Sequence, residues 1–237
     1  MDHDADLAAV ASLIADRNRA GMLITLLSGR PQTGSALAEA AGISRSLASA
    51  HLKKLVAGGL VRAEPNGRQR LYSLAGQPVA DALETLMTFA RPAPVRSLSG
   101  STRMRSLRWA RMCYDHLAGV VGVAVTEALL ERSAVRDLDG TFVLGACGDS
   151  VLGSLGIDVD GLRRQRRPLL RPCLDWTERR HHLAGGAGAA VAGELAGRGW
   201  IRPREGSRIV TVTPAGAAGL RDWLGIDLEQ LRLAAAA

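Results

Sequence analysis

The feature that most constrains this chain lies in its second half, which repeats itself. HLAGVVGVAVTEALLERSAV (116–135) aligns without a gap on HLAGGAGAAVAGELAGRGWI (182–201), and SLGIDVDGLRR (154–164) aligns on WLGIDLEQLRL (223–233). A stretch that recurs in the same order is one supersecondary unit built twice. Between the matched pieces lie a turn (Asp139-Gly140; Glu205-Gly206) and a short extended piece (141–144; 207–213). Each unit therefore reads helix, strand, turn, strand, helix, a winged-helix-like pattern. The repeats span about 113–164 and 173–233. Gly119 with Gly122, and Gly185 with Gly188, are expected where helices approach closely.

Composition bounds the rest. The 237 residues suit one large domain or two of roughly 100 residues each. Apolar residues are 47% but aromatics only 3%, so the cores are built from Leu, Val and Ala, which favours helices over an aromatic-rich sandwich. Lys+Arg is 30 against 23 for Asp+Glu, a net charge of +7. A basic balance points to nucleic acid before membrane. Three cysteines (Cys113, Cys147, Cys173) do not make a secreted disulfide framework. The acidic start, Met-Asp-His-Asp-Ala-Asp, lacks the basic end of a signal peptide. The apolar windows 117–130 and 183–196 are interrupted by Glu127 and Glu194 and are too short for ~30 Å of hydrocarbon. The expectation is a cytoplasmic protein with no membrane partner.

The N-terminal third reads differently. Leu7, Val10, Leu13 and Ile14, then Met22, Leu23, Leu26 and Leu27, fall at helical spacing, and Gly29-Arg30-Pro31 ends the run. Thr33-Gly34-Ser35 caps a short helix, 36–41, closed by Gly42. Ser44 caps the next, 45–57, with Leu47, Leu52, Leu55 and Val56 expected inward. Extended pieces at 60–64 and 68–74 flank Pro65-Asn66-Gly67, a strong hairpin signal. Two helices joined by a tight turn and followed by a hairpin make a winged helix-turn-helix. The fold class expected for the whole chain is mainly α with short β-hairpin wings (α+β): an N-terminal winged helix-turn-helix over 1–90, a linker over 91–105, and the two repeated units within 106–237.

The stretch ALAEAAGISRSLASAHLKKLVAGGLVRAEPNGRQRLYSLAG resembles the winged-helix core of the ArsR/SmtB family of bacterial repressors, over about residues 7–90. The matching points are Leu37 and Ala38, Gly42-Ile43-Ser44, His51-Leu52 with Leu55, and Gly59-Leu60-Val61. The resemblance implies a DNA-binding homodimer relieved by a metal or another inducer. Classical members often carry a Cys-Val-Cys metal motif in the supporting helix; this chain has no cysteine before Cys113, so that inducer site does not carry over.

Residue chemistry adds three candidate sites. The outward side of helix 45–57 and its cap offers Ser44, Arg45, Ser46, Ser49, His51, Lys53 and Lys54. A recognition helix sets its N-terminal residues against base edges in the major groove, and Arg45 suits guanine or phosphate. Arg68 and Arg70 flank the wing tip, where arginine suits phosphate or the minor groove. Within 44–71, Arg45, Lys53, Lys54, Arg62, Arg68 and Arg70 stand against one acid, Glu64. His51 fits either phosphate or the helix underside.

The second site is an effector set. The repeats open alike, with Cys113-Tyr114-Asp115-His116, and with Cys173-Leu174-Asp175 followed by His182. Glu178 and His181 lie nearby. Thiolate, imidazole and carboxylate together suit a soft or borderline transition metal such as zinc, or a thiol-reactive ligand. The competing reading makes the aspartates N-caps and the cysteines small core residues. Cys147 has no repeat partner and is read as structural. The third site, RRQRRPLLR (163–171), is either a second DNA contact or a run paired with Asp158 and Asp160.

No phosphate-cradling loop, His-Glu-x-x-His or Gly-x-Ser-x-Gly motif is present. The expected function is a sequence-specific transcriptional regulator, a repressor rather than an enzyme. It binds double-stranded operator DNA as a homodimer through helices near 7–20 and 77–90 and is controlled from its C-terminal half. The alternative is a C-terminal half that binds an organic molecule or a protein partner.

Overall fold

The computed structural model describes residues 5–90 and 98–236. They form two compact units, one running to Leu83 with Glu205–Ser207, the other comprising Glu84–Arg204 and the chain from Arg208 on.

In the first unit, α1 (Leu7–Ala15) and α2 (Arg17–Leu26) are separate helices. Asp16 divides them. Its backbone is extended (ψ 128°), and its carboxylate accepts the N–H groups of Asn18 and Arg19 at 3.0 and 2.9 Å, starting α2 afresh. After β1 (Gln32–Thr33) comes α3 (Gly34–Ala41), capped by Thr33 and closed by Gly42. Ser44 then caps α4 (Arg45–Ala57), its Oγ accepting Leu47 N–H at 3.3 Å. The wing is β2 (Val61–Asn66) and β3 (Gln69–Leu74), joined through Gly67 and Arg68 with Asn66 opposite Gln69. The sheet order is β1-β3-β2. α5 (Gln77–Phe89) follows, and the division between the units falls within it.

Met22, Leu23, Leu26, Leu37, Leu52, Leu55, Val61 and Leu74 fill this core. Two positions expected inward on α4 are not. Leu47 and Val56 are exposed, and Ala48 is buried with Leu52 and Leu55. Positions 48, 52 and 55 form the i, i+4, i+7 stripe, and a helix this short has one such stripe.

Beyond the end of α5 the second unit continues with α6 (Leu98–Trp109), which takes in residues 98–105 of the expected linker; residues 91–97 lie outside the described residues. Then come β4 (Arg111–Cys113), β5 (His116–Ala118), α7 (Gly119–Glu131), β6 (Val135–Leu138), β7 (Thr141–Leu144), α8 (Gly148–Ser154) and α9 (Val159–Arg163). The same order of elements follows again: β8 (Arg171–Leu174), β9 (His181–Ala184), α10 (Gly185–Gly197), β10 (Ile201–Pro203), β11 (Val210–Val212), α11 (Pro214–Leu224) and α12 (Leu228–Ala236). Each series starts with an antiparallel hairpin, β4–β5 or β8–β9, ahead of its first helix.

Leu117, Val121, Val125 and Leu129 from one series and Leu183, Ala187, Val191 and Leu195 from the other belong to one core. Gly119 and Gly185 open α7 and α10 at φ +82° and +84°. A Cβ there would meet the carbonyl oxygens of Arg108 and Pro168 at 2.5 and 2.8 Å. Gly122 and Gly188 press on the carbonyls of Leu117 and Leu183 in the same way. The close approach expected at these glycines is therefore chiefly of helix to backbone carbonyl.

Candidate nucleic-acid interface and candidate metal centre

In the first unit, the start of α4 leaves Ser44, Arg45, Ser46 and Ser49 exposed, with Lys53 and Lys54 further along. The Ser44 and Ser46 hydroxyls are 3.0 Å apart, which leaves a low surface beside Arg45. Arg68 stands in the wing turn, and Arg70, opposite Pro65, is exposed beside it. His51 is placed otherwise. It is half-buried, with Nδ1 3.7 Å from Asp16 and Nε2 3.5 Å from Asn18. It ties α4 to the start of α2, on the helix underside.

The second unit brings together residues far apart in sequence. In β4–β5, Cys113 is the register partner of His116; in β8–β9, Cys173 is the partner of His182. The two hairpins meet on this side. Cys113 Sγ lies 3.9 Å from Cys173 Sγ, and His116 Nε2 lies 3.2 Å from His182 Nε2. All four ligand atoms lie within 4.8 Å of one another, and all four residues are buried.

Each imidazole is backed by a carboxylate, and each carboxylate by an arginine. Asp115 Oδ1 is 3.0 Å from His116 Nδ1, and Asp115 Oδ2 accepts from Arg167 at 2.8 Å. Asp175 Oδ2 is 3.5 Å from His182 Nδ1, while Asp175 Oδ1 accepts from the fully buried Arg111 at 2.9 Å. Asp175 Oδ2 also accepts Gly119 N–H at 2.7 Å, so this aspartate caps the first helix of the other series. The cap residues of α7 and α10 themselves, Ala118 and Ala184, offer no side-chain hydrogen bond.

Burial raises the Cys113 thiol well above its ordinary pKa, whereas the Cys113 sulfur and the two histidines lower that of Cys173. Burial works against the charged form of His116, but Asp115 and the Cys173 sulfur outweigh it and its pKa is raised. Burial dominates at His182 and lowers it. At Asp175 burial acts upward, yet Arg111 and His182 hold the carboxyl well below the usual range.

The other expected ligands stand apart. Glu178 is taken up in a two-pronged pair with Arg108 (2.9 and 3.2 Å). His181 is exposed, its ring edge-on to Phe142 at 6.2 Å. Cys147, read from the sequence as structural rather than as a ligand, is exposed at the start of α8 and so is not a core residue. In the 163–171 run, Arg163 pairs with Asp149 and Asp160, Arg164 lies 3.9 Å from Asp158, and Arg167 holds Asp115. That run is paired largely with its own unit. Arg208 is not singled out by the sequence, and Arg111, which the sequence places beside Cys113, is spent instead on Asp175. Arg208 forms a buried ion pair with Glu84 of α5 and donates to the Met112 carbonyl at 3.0 Å, beside Cys113.

The MarR family model matches residues 16–70, the span from the start of α2 into the wing. The HTH-type transcriptional regulator YdfF of Bacillus subtilis (strain 168) is 35% identical over 223 residues, 94% of this chain and 99% of that protein. The chain belongs to the HTH-type transcriptional regulators. The alignment with YdfF runs through both units. HlyU from Vibrio cholerae N16961 aligns over 38% of this chain and 97% of its own, at 24% identity and TM-score 0.35. The homodimeric winged helix-turn-helix DNA-binding domain Mb0332 from Mycobacterium bovis aligns over 38% and 89%, at 30% identity and TM-score 0.33. Among the described residues, no helix is long and apolar enough to cross a membrane.

Proposed function

We propose that this regulator is a cytoplasmic, sequence-specific repressor that binds its operator as a homodimer. Its winged helix is of the ArsR/SmtB kind, and its second unit is an internal duplication that takes a metal or thiol-reactive effector at Cys113, His116, Cys173 and His182. Its work is binding rather than catalysis.

The observation that carries the DNA reading is the exposed row Ser44, Arg45, Ser46 and Ser49 at the start of α4, with Arg68 and Arg70 on the adjacent wing. Short hydroxyl side chains let the helix approach base edges, Arg45 supplies a guanine or phosphate contact, and the wing arginines grip the backbone. Arg208 supports the effector reading. It links Glu84, on the helix that continues from the winged helix, to the strand carrying Cys113. A ligand that prefers one arrangement of that strand can shift the balance between two states of the protein.

The organic-ligand alternative has one observation in its favour. A cleft of about 260 Å³ is lined by Arg105, Arg108, Trp109 and Arg232, with Arg232 stacked 4.4 Å from the centre of the Trp109 ring.

The experiment is selection of duplexes from a random pool by the full-length chain, followed by titration of a selected duplex against a scrambled one at several salt concentrations. A preference of at least about 10³-fold, with log affinity falling linearly with log salt, supports the reading. Equal binding to both duplexes overturns it.

A further inference from the structure

We infer that Cys113, His116, Cys173 and His182 form a closed, four-coordinate Cys2His2 centre for a borderline divalent metal of the zinc type, which staples hairpin β4–β5 to hairpin β8–β9. This deepens the effector reading above and rests on the same four residues.

The first argument is distance. Zinc bonds to sulfur and nitrogen of about 2.3 and 2.0–2.1 Å give tetrahedral edges of about 3.8 Å between sulfurs and about 3.3 Å between nitrogens. The sulfurs stand 3.9 Å apart and the nitrogens 3.2 Å apart. The sulfur spacing is far longer than the about 2.05 Å of a disulfide.

The second argument is the direction of the imidazoles. Asp115 and Asp175 face the two Nδ1 atoms. A carboxylate there favours the proton on Nδ1, as in the outer shell of histidine metal sites, and leaves Nε2 as a lone pair. Both Nε2 atoms then point at one another across 3.2 Å inside the protein. Two lone pairs so placed repel unless a proton or a metal cation sits between them, and the metal centre supplies that cation. His182 Nδ1, buried, has no aligned hydrogen-bond partner, although Asp175 is 3.5 Å away. Metal coordination at Nε2 would strengthen that N–H as a donor.

Charge is the third argument. Two thiolates balance one divalent cation, and Arg167 and Arg111 balance Asp115 and Asp175. The buried cluster then sums to zero, which burial favours. Four protein ligands and no exposed position make a closed site, with no coordination position left for an exchangeable water.

The test uses the full-length chain, purified under reductant, stripped with a chelator and titrated anaerobically with Co(II), then with Zn(II). The expected result is one metal per chain, with the absorption of tetrahedral Co(II) and a thiolate-to-metal charge-transfer band, both lost when Zn(II) displaces Co(II). Cys173→Ser should weaken the charge-transfer band. Asp115→Asn should retain the tetrahedral spectrum and weaken Co(II) affinity about 10–100-fold. No stoichiometric binding, a six-coordinate spectrum, or an unchanged charge-transfer band in Cys173→Ser overturns the centre. Operator affinity measured on the stripped and loaded protein separates this inference from the effector reading. Bound metal with unchanged operator affinity sustains the centre and removes the effector role. No metal binding, with operator affinity that still responds to a thiol reagent, removes the centre and leaves that role.

Discussion

Arg45 and Arg68 carry the same side chain into different surroundings. Arg45 opens α4 behind the Ser44 cap, where a recognition helix meets base edges. Arg68 sits in the two-residue turn of the wing, which lies along the sugar-phosphate backbone in a winged-helix complex. Replacing Arg45 by Ala should therefore cost about 1–3 kcal/mol on the cognate operator and little on a scrambled duplex. Replacing Arg68 or Arg70 by Ala should weaken both duplexes alike and lower the salt slope by about one unit. Gel-shift titrations at several salt concentrations decide it. A sequence-dependent loss at Arg68, or a uniform one at Arg45, would exchange their roles. The exposure of Leu47 and Val56 belongs to the same scale. Leu and Val look inward by composition, but position on the helix decides, and Ala48 takes the place that Leu47 was expected to fill.

At the scale of elements, the two hairpins explain what the sequence disclosed and what it withheld. The ungapped match of the His-Leu-Ala-Gly segments put His116 and His182 at equivalent places, while the cysteines, three and nine residues ahead of them, match only once the insert 176–181 is set aside. It could not show that Cys and His face each other across a strand pair, because Cys113 and His116 are separated by a tight turn and Cys173 and His182 by a six-residue loop. Alternation along β9 settles His181 against His182, since successive strand side chains point to opposite faces. Glu178 sits in that loop and is captured by Arg108, 70 residues away in sequence. Nothing in composition or spacing signals such a pair. Asp175 holds the element together: it joins Arg111, Thr177 and the start of α7. Asp175→Ala leaves the Arg111 guanidinium buried without its counter-charge and α7 without its cap. The expected loss is about 3–5 kcal/mol, the range for breaking one side of a buried pair. Asp115→Ala should cost less, because its side chain is 27% exposed and Arg167 reaches water. Urea unfolding of both variants measures the contrast; equal losses would mean that Asp175 is not the hub.

The whole molecule raises the question of what covers α1. Its sequence, LAAVASLIA, is mostly apolar, yet none of its residues is buried within the chain. Leu7 is 76% exposed, and on α5 Leu86 and Phe89 are 50% and 81% exposed. A helix of this composition is stable in water only when its apolar side is covered. A second copy covers it most economically: in a two-fold dimer one patch serves both partners, and two recognition helices then meet half-sites about 34–36 Å apart. A Leu7→Glu, Val10→Glu variant places charge on the exposed side of α1 without touching the core of its unit. It should sediment as a monomer at micromolar concentration where the parent is a dimer. Its operator affinity should fall toward that of a single half-site, while its circular dichroism stays that of the parent. A parent that sediments as a monomer, or a variant that remains dimeric, would place the dimer contact elsewhere.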